Sequence, residues 1–252
     1  MLSFQETKKK TSWDIQMQVG KVDFNIEAIG FDADDTLWEN ETLFYDAQKE
    51  INQILKNYND DFNQELLKIE KQNLEHYGYG VKGFILSLIE TSIKFSNKKI
   101  DNEIVEQILN LGKKMLSEPV KVLPHVKSSL KFLSKKYNLI LITKGDLKDQ
   151  EKKINRSKLS KFFKHIEIVS EKNESVYMRI LDKYNINPKK FLMVGNSLKS
   201  DILPVTKIGG RGIYIPFQLT WEFEKIDTDH KIKNYVQLEN TSQIKLWIEK
   251  NL

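Results

Sequence analysis

The sequence IGFDADDTLW occupies residues 29–38 and places three carboxylates directly after an apolar run. Residues 22–31 predict a β-strand, so Asp32, Asp34 and Asp35 follow its end. Like charges this close repel each other, and burying them without a cation, a shared proton or water is costly. Aspartate is also common in surface turns, but open α/β sheets bind their ligands at the carboxyl ends of their strands. We therefore interpret residues 29–38 as part of a functional site.

Length and composition limit the class of protein. At 252 residues, of which 40% are hydrophobic, the chain fits one large domain or one domain with a sizeable insertion. No cysteine occurs, which excludes disulfides, thiolate metal sites and cysteine nucleophiles and fits a reducing compartment. No apolar run is long enough to cross a bilayer, and residues 1–14 lack the apolar segment of a secretory signal. We expect a cytoplasmic protein without a membrane partner.

The charge balance is mildly basic. The chain has 40 Lys and Arg residues against 35 Asp and Glu residues, a formal net charge of +5. A surplus of this sign suits anionic substrates such as phosphate esters, and it would also suit nucleic acid. The basic residues are scattered among acidic ones without a long basic block, which indicates solvated helix faces. We therefore do not expect a nucleic-acid partner.

Residues 42–116 predict four successive helices. Apolar residues recur there at steps of three and four positions, as on the buried face of an amphipathic helix. The candidate helices span residues 44–58, 62–74, 84–93 and 104–115, and Asp101 has the residue type of an N-cap for the fourth. No strand interrupts them. They predict a small helical domain, residues 42–116, inserted into a domain formed by residues 1–41 and 117–252.

Strands and helices alternate in the rest of the chain. Apolar runs predict buried strands at residues 138–143, 165–169, 191–194 and 212–215, with helices at 126–137, 147–159, 174–184 and 201–207 and a final helix at 243–250. Short apolar strands separated by helices predict a parallel sheet with helices on both faces. The expected fold class is α/β, with a doubly wound parallel sheet.

Polar residues follow three of these strands, as they follow the first. Thr143, Lys144 and Gly145 end the strand at 138–143, Lys172 follows the next strand, and GNSLKSD at residues 195–201 follows the one after. The carboxyl ends of parallel strands meet at one edge of a sheet. A hydroxyl, an ammonium and further acid are therefore expected to converge on Asp32.

The order Asp-x-Asp-x-Thr-Leu at residues 32–37 resembles the first motif of the haloacid dehalogenase-like (HAD) hydrolases. Thr143, Lys172 and residues 195–201 stand where that family has its second, third and fourth motifs. The helical block at 42–116 resembles the family's C1 cap, a lid over the active site. The second and third motifs alone carry little information, but four motifs in order around a helical insertion are specific. The resemblance covers the whole chain and implies an HAD-like Rossmannoid core.

The resemblance also implies a role for each motif residue. Asp32 would be the nucleophile, forming an aspartyl-phosphate, and Asp34 would protonate the leaving alcohol and then accept a proton from water. Thr143 would donate a hydrogen bond to the transferring phosphoryl group, and Lys172 would counter the negative charge around it. Substrate binding would further involve Thr36, Lys144 and Gly145.

A carboxylate that attacks a phosphate dianion meets strong repulsion, so a divalent cation is needed to neutralise both. The resemblance implies Mg²⁺, held by the Asp32 carboxylate, the backbone carbonyl of Asp34 and one or two residues of the fourth motif. This chain has Asn196 where the family usually has an acid, and an amide coordinates without adding charge. Asp201 would then be the one carboxylate of that motif to serve the metal, directly or through water.

Two stretches lie outside the motifs. Residues 76–84, HYGYGVKGF, interrupt the helical pattern with three glycines and two tyrosines. They predict either a plain turn or a substrate-facing loop in which Tyr79 shapes the pocket and Lys82 meets an anionic group. Trp221 stands near the end of the chain, and an aromatic residue of this size is more often packing than function. Asp146 is expected to cap the helix that follows it.

The combined prediction is a Mg²⁺-dependent phosphatase that cleaves a small phosphate monoester, with a small phosphorylated metabolite as its partner. Three alternatives stay open. A 2-haloacid dehalogenase of the same superfamily shares the nucleophile but needs neither a general acid at Asp34 nor a metal. A phosphomutase shares both aspartates, and a non-catalytic phosphate-binding or regulatory module would explain Asn196. The substrate and the oligomeric state do not follow from the sequence.

Overall fold

The computed structural model describes residues 25–55, 61–226 and 233–251. The start of the first predicted strand, at residues 22–24, and the end of the first predicted helix, at residues 56–58, lie outside these ranges. No helix within them has the length and apolarity of a membrane span.

A six-stranded sheet forms the centre of the molecule. Its strands are β1 Ala28–Phe31, β2 Asn138–Lys144, β3 His165–Val169, β4 Phe191–Gly195, β5 Arg211–Tyr214 and β6 Tyr235–Gln237. All neighbouring pairs are parallel, in the order β3-β2-β1-β4-β5-β6. The predicted parallel sheet is confirmed. β6 was not predicted, because a three-residue strand at the edge of the sheet has no apolar run to mark it.

The register of β1 with its two neighbours decides where the site lies. Phe31 is level with Leu141 of β2 on one side and with Val194 of β4 on the other. The backbone N–H of Asp32 donates to the carbonyl of Val194 at 2.9 Å. Asp32 therefore leaves the sheet beside the ends of both neighbouring strands.

Four helices lie between β1 and β2, as predicted. They are α1 Glu41–Ile54, α2 Asp61–Tyr77, α3 Val81–Phe95 and α4 Asn102–Ser117. Each contributes buried apolar side chains to one cluster that is separate from those around the sheet. The side chain of Asp101 accepts from the backbone N–H of Glu103 and caps α4, as predicted.

The chain enters and leaves this helical block side by side. The N–H of Leu123 donates to the carbonyl of Leu37 at 2.9 Å, and the N–H of Glu39 donates to the carbonyl of Lys121 at 3.0 Å. The two crossings are thus hydrogen-bonded to each other at the edge of the sheet.

The remaining helices cover both faces of the sheet. They are α5 Val126–Leu133, α6 Leu147–Ser157, α7 Glu174–Lys183, α8 Leu203–Lys207 and α9 Ser242–Asn251. Side chains of α5, α6 and α9 pack with Ile29 and Phe31 on one face, and those of α7 and α8 pack with Ala28 on the other. The doubly wound arrangement is confirmed. The helix predicted at residues 201–207 instead begins with one π-helical turn, Leu198–Ile202, and continues as α8.

Candidate active site

A cavity of about 580 Å³ opens at the carboxyl edge of the sheet. The ends of β1, β2 and β4 form its floor, and residues of α1, α2 and α3 form the opposite wall. Asp32, Lys172, Asn196 and Asp201, predicted from three separate strand ends, all line it. The expected convergence of these residues is therefore present in the structure.

Asp32 lies at the bottom of the cavity in a buried ion-pair network. Its Oδ1 accepts from Lys172 Nζ at 2.5 Å, and the same ammonium donates to Asp201 Oδ1 at 2.8 Å. The hydroxyl of Thr36 donates to the other oxygen, Oδ2, at 2.9 Å. Burial raises the pKa of Asp32 to about 7, against the lowering effect of Lys172. Burial alone would lower the pKa of Lys172, but the carboxylates of Asp201 and Asp32 hold it well above its usual value.

Asp201 has both of its carboxylate oxygens engaged within the protein. Oδ1 accepts from Lys172, and Oδ2 accepts from the backbone N–H of Ser197 at 3.0 Å. Gly195 makes room for this arrangement, since a Cβ there would lie 2.2 Å from Asp201 Oδ2. The glycine of the fourth motif is thus required by close packing.

The amide of Asn196 lies beside the second oxygen of Asp32. The amide of Asn196 places one terminal atom 3.2 Å from Asp32 Oδ2 and 3.2 Å from the backbone carbonyl oxygen of Asp34. If this terminal atom is the amide nitrogen, it donates to both of these oxygens. If it is the amide oxygen, three acceptor oxygens, from Asp32, Asp34 and Asn196, lie close together. Ligands at adjacent corners of a magnesium octahedron lie about 3 Å apart, since Mg–O bonds are about 2.1 Å long. The residues present therefore fit a hard divalent cation.

This set of ligands contains a single carboxylate, that of Asp32. No group of three or more His, Cys, Asp or Glu side chains placed to hold a metal occurs within the described ranges. A cation between Asp32, Asp34 and Asn196 would instead use one carboxylate, one carbonyl and one amide, which are the oxygen donors that magnesium and calcium prefer.

The side chain of Asp34 lines the cavity and accepts from three residues. Lys153 Nζ donates to its two oxygens at 2.7 and 2.9 Å, Gln150 Nε2 at 2.9 Å and Trp38 Nε1 at 2.7 Å. Sequence reasoning did not identify Lys153 or Gln150, both on α6. One signal was available, because the helix LKDQEKKINRS has too few apolar residues to fill its buried face and must bury polar ones.

Gln150 connects Asp34 to Thr143. Its amide nitrogen donates to Thr143 Oγ1 at 2.8 Å as well as to Asp34. Thr143 is fully buried and lies behind the cavity surface. Because the oxygen of its hydroxyl accepts from Gln150, the hydroxyl hydrogen is left to donate elsewhere.

Lys144 lines the cavity but does not reach Asp32. Its ammonium donates to Glu224 Oε1 at 2.7 Å and to Ser200 Oγ at 3.3 Å, and it lies 4.0 Å from the centre of the Tyr79 ring. Tyr79 in turn donates through its hydroxyl to Glu171 Oε2 at 2.7 Å. Tyr79 thus links the turn between α2 and α3 to the sheet edge.

Glu224, like Lys153 and Gln150, was not identified from the sequence. It lies in a 3₁₀ turn, Glu222–Glu224, that follows β5 and reaches back to the cavity. Trp221, just before this turn, packs edge-on against Tyr79 and Phe223, which agrees with the packing role expected of it.

Of the other predicted residues, Gly145 lines the cavity, whereas Thr36 and Lys82 do not. Thr36 is buried and holds Asp32. Lys82 pairs with both oxygens of Asp146 at 2.9 Å on the exposed surface. Asp146 also accepts from the N–H of Asp149 and caps α6, as predicted.

Comparison with known proteins agrees with this geometry. The family model of the haloacid dehalogenase-like hydrolases matches residues 26–209. A crystal structure of a haloacid dehalogenase-like family hydrolase from Xanthomonas campestris has 37% sequence identity and a TM-score of 0.81, covering 90% of this chain and 91% of that one.

Two more distant relatives are similar over most of their length. The glyceraldehyde 3-phosphate phosphatase of Pyrococcus furiosus is 26% identical over 217 residues, 82% of this chain and 86% of that protein. The HAD-hydrolase YfnB of Bacillus subtilis, solved bound to magnesium, shares the fold with a TM-score of 0.62 at 15% identity, covering 90% of this chain and 100% of that one. The chain belongs to the haloacid dehalogenase-like hydrolases.

Proposed function

We propose that this hydrolase is a Mg²⁺-dependent phosphatase that cleaves a small phosphate monoester through an aspartyl-phosphate on Asp32. The observation that carries the proposal is the environment of Asp32 at the bottom of the cavity. Lys172 donates to one of its oxygens, and a terminal atom of the Asn196 amide lies 3.2 Å from the other and 3.2 Å from the Asp34 carbonyl oxygen. The Pyrococcus furiosus relative, a phosphatase by name, supports the same reaction class.

In the first half-reaction the Asp32 carboxylate attacks phosphorus and the bond to the leaving oxygen breaks. Asp34 gives its proton to that oxygen, so the alcohol leaves neutral. In the second half-reaction water attacks phosphorus, Asp34 takes its proton, and the Asp32 carboxylate is regenerated with release of phosphate. Thr143 supplies a hydroxyl and Lys172 a positive charge to the transferring group.

Asp34 has to be released from its present partners to act in this way. Its two oxygens are bound by Lys153, Gln150 and Trp38, and a protonated carboxyl group cannot keep all of these bonds. We expect substrate binding to displace Lys153 from Asp34, because Lys153 also contacts the side chain of Asn40 at 3.0 Å and has an alternative partner there.

The cation would be held by the Asp32 carboxylate, the Asp34 carbonyl and the Asn196 amide oxygen, where its charge would reduce the repulsion between nucleophile and phosphate. Asp201 would act through water, since both of its oxygens already have partners in Lys172 and Ser197. Asn196 would therefore be the direct ligand from the fourth motif.

The helices α1–α4 would form the cap, residues 42–116, over a core of residues 1–41 and 117–252. Near the site, hydrogen bonds cross between them from Tyr79 to Glu171 and from Lys82 to Asp146. The proposed partner is a small phosphorylated metabolite, because the cavity lies between the sheet on one side and this block on the other. The proposed compartment is the cytoplasm, which fits a chain without cysteine.

Hydrolysis of p-nitrophenyl phosphate tests the proposal. Phosphate release is expected with Mg²⁺, is lost in EDTA, and returns when Mg²⁺ is added back. Asp32→Asn should lower kcat by about 10⁴-fold or more, since it removes the nucleophile. Halide release from 2-chloropropionate without metal and without phosphatase activity would assign the rival dehalogenase reaction. Turnover that survives Asp32→Asn would exclude the proposed intermediate.

A further inference from the structure

The positive charges in the cavity are all matched by carboxylates. Among the described residues that line it, the cations are Lys144, Lys153 and Lys172. Lys172 is shared by Asp32 and Asp201, and Lys153 lies against Asp34. Lys144 lies 2.7 Å from Glu224 and 3.5 Å from Glu171. The cavity therefore offers no unmatched lysine for a second anionic group of a substrate.

The wall formed by α1–α3 has no cation at all among its lining residues. It presents two carboxyl groups, Glu41 and Glu70, beside amides and aromatic rings. The other polar and aromatic members of this wall are Phe44, Tyr45, Gln48, Asn63, Gln64, Asn73, Phe84 and Ser87, with Tyr79 in the turn between α2 and α3. Amides and rings accept hydroxyl-bearing carbon chains, whereas a carboxylate or second phosphate would face two acids.

Glu224 is held rigidly at its position. Its Oε2 accepts from the hydroxyls of Ser197 and Ser200, both at 2.6 Å, while its Oε1 accepts from Lys144 at 2.7 Å. Lys199 fixes the turn that carries it by donating to the carbonyl of Phe223 at 2.6 Å. These three charge-assisted bonds fix the carboxylate of Glu224. It therefore holds Lys144 more strongly than a mobile surface acid would.

We propose that Glu224 is a specificity-determining residue, because it occupies Lys144 and thereby restricts the site to phosphate monoesters whose alcohol part bears no second anionic group. The inference rests on the proposed phosphatase function and deepens it. Lys144 comes directly after Thr143, at the end of β2, so its ammonium is the cation closest in sequence to the expected phosphoryl site. Released from Glu224, its ammonium would keep only the longer contact with Glu171 at 3.5 Å and could bind a carboxylate or phosphate at the far end of a substrate.

A matched pair of three-carbon esters tests this selectivity. Glycerol 3-phosphate ends in a neutral hydroxyl group, and 3-phosphoglycerate ends in a carboxylate of similar size. Each is measured as a substrate and as a competitor of p-nitrophenyl phosphate turnover, so that an inhibition constant is obtained even without turnover. The wild-type enzyme should bind glycerol 3-phosphate more tightly than 3-phosphoglycerate.

Glu224→Gln keeps the shape of the side chain and removes its charge. It should shift the ratio of the two inhibition constants by about tenfold or more in favour of 3-phosphoglycerate. The reason is that the ammonium of Lys144 can then donate a hydrogen bond to the carboxylate of this ester. Adding Lys144→Gln to this variant should abolish the gain. Glu224→Asp keeps the charge and should retain the wild-type preference.

Glu222→Gln is the matched control. It makes the same chemical change in the same turn at the same cavity, but Glu222 pairs with Lys225 instead of Lys144, and the side chains of Glu222 and Lys225 are more than half exposed. The ratio should stay within about twofold of wild type, since exposed pairs contribute little.

A wild-type enzyme that prefers 3-phosphoglycerate would overturn the inference, as would an active Glu224→Gln variant with an unchanged ratio. Both outcomes leave the proposed function intact, because p-nitrophenyl phosphate is still hydrolysed. A wild-type enzyme without any phosphatase activity would instead remove the proposed function, and the selectivity inference with it.

Discussion

Lys172 is expected to be the residue on which the stability of the site depends most. Its side chain is 2% exposed and bridges two carboxylates, Asp32 and Asp201, that are themselves 9% and 1% exposed. Lys172→Met keeps most of the volume but leaves both carboxylates buried without their counter-charge. Hydrogen bonds to charged groups contribute about 1.5–3 kcal/mol each, and breaking a buried pair costs about 3–5 kcal/mol. We expect a loss of about 3–5 kcal/mol in the free energy of unfolding.

Urea denaturation in EDTA, followed by circular dichroism and tryptophan fluorescence, measures this loss, provided that both probes give the same transition. Lys82→Met is the matched control, because Lys82 also makes two bonds to one carboxylate but is half exposed. It should cost less than about 1 kcal/mol. Adding Asp32→Asn to Lys172→Met should restore part of the stability, since one unpaired charge is then removed. Equal losses for Lys172→Met and Lys82→Met, or no recovery in the double variant, would refute the reasoning.

Three further outcomes are expected. Asp34→Asn should lower kcat by about 10²–10⁴-fold with the Mg²⁺ requirement unchanged, because the backbone carbonyl of Asp34, which is the proposed ligand, is retained; a parallel loss of metal activation would contradict it. Asn196→Asp should lower the Mg²⁺ concentration that gives half-maximal activity, and a higher requirement would argue against Asn196 as a direct ligand. Burial and the charge of Glu41 raise the pKa of Glu70 to about 7. The folded state therefore binds this proton more tightly than the unfolded state, so the contribution of Glu70 to wild-type stability should fall as pH rises from about 4.3 to about 7. In Glu70→Gln this part of the decline should be absent from the urea midpoints, and identical pH profiles would contradict it.

The convergence of Asp32, Thr143, Lys172 and Asp201 could be predicted because each follows a parallel strand, and the register of such strands brings their ends to one edge. Apolar runs in the sequence marked four of the five strands that follow β1 in the chain. The four helices between β1 and β2 could likewise be predicted, because apolar residues recur there every three or four positions.

The partners of these residues could not be predicted in the same way. Lys153 and Gln150 reach Asp34 only because of the rotation of α6 about its axis, which a short polar helix does not encode in its apolar pattern. Glu224 meets Lys144 across 80 positions of sequence through an irregular turn. The expected role of Lys82 at the substrate also depended on the turn between α2 and α3, and its ion pair with Asp146 keeps it outside the cavity lining.

The paired crossings at Leu37–Glu39 and Lys121–Leu123 have a consequence for divergence within the family. Because α1–α4 bury their apolar side chains mainly among themselves, substitutions there alter the roof of the cavity while the strand ends beneath keep their register. The side chains of α1–α3 that line the cavity can therefore change without disturbing the residues at the strand ends.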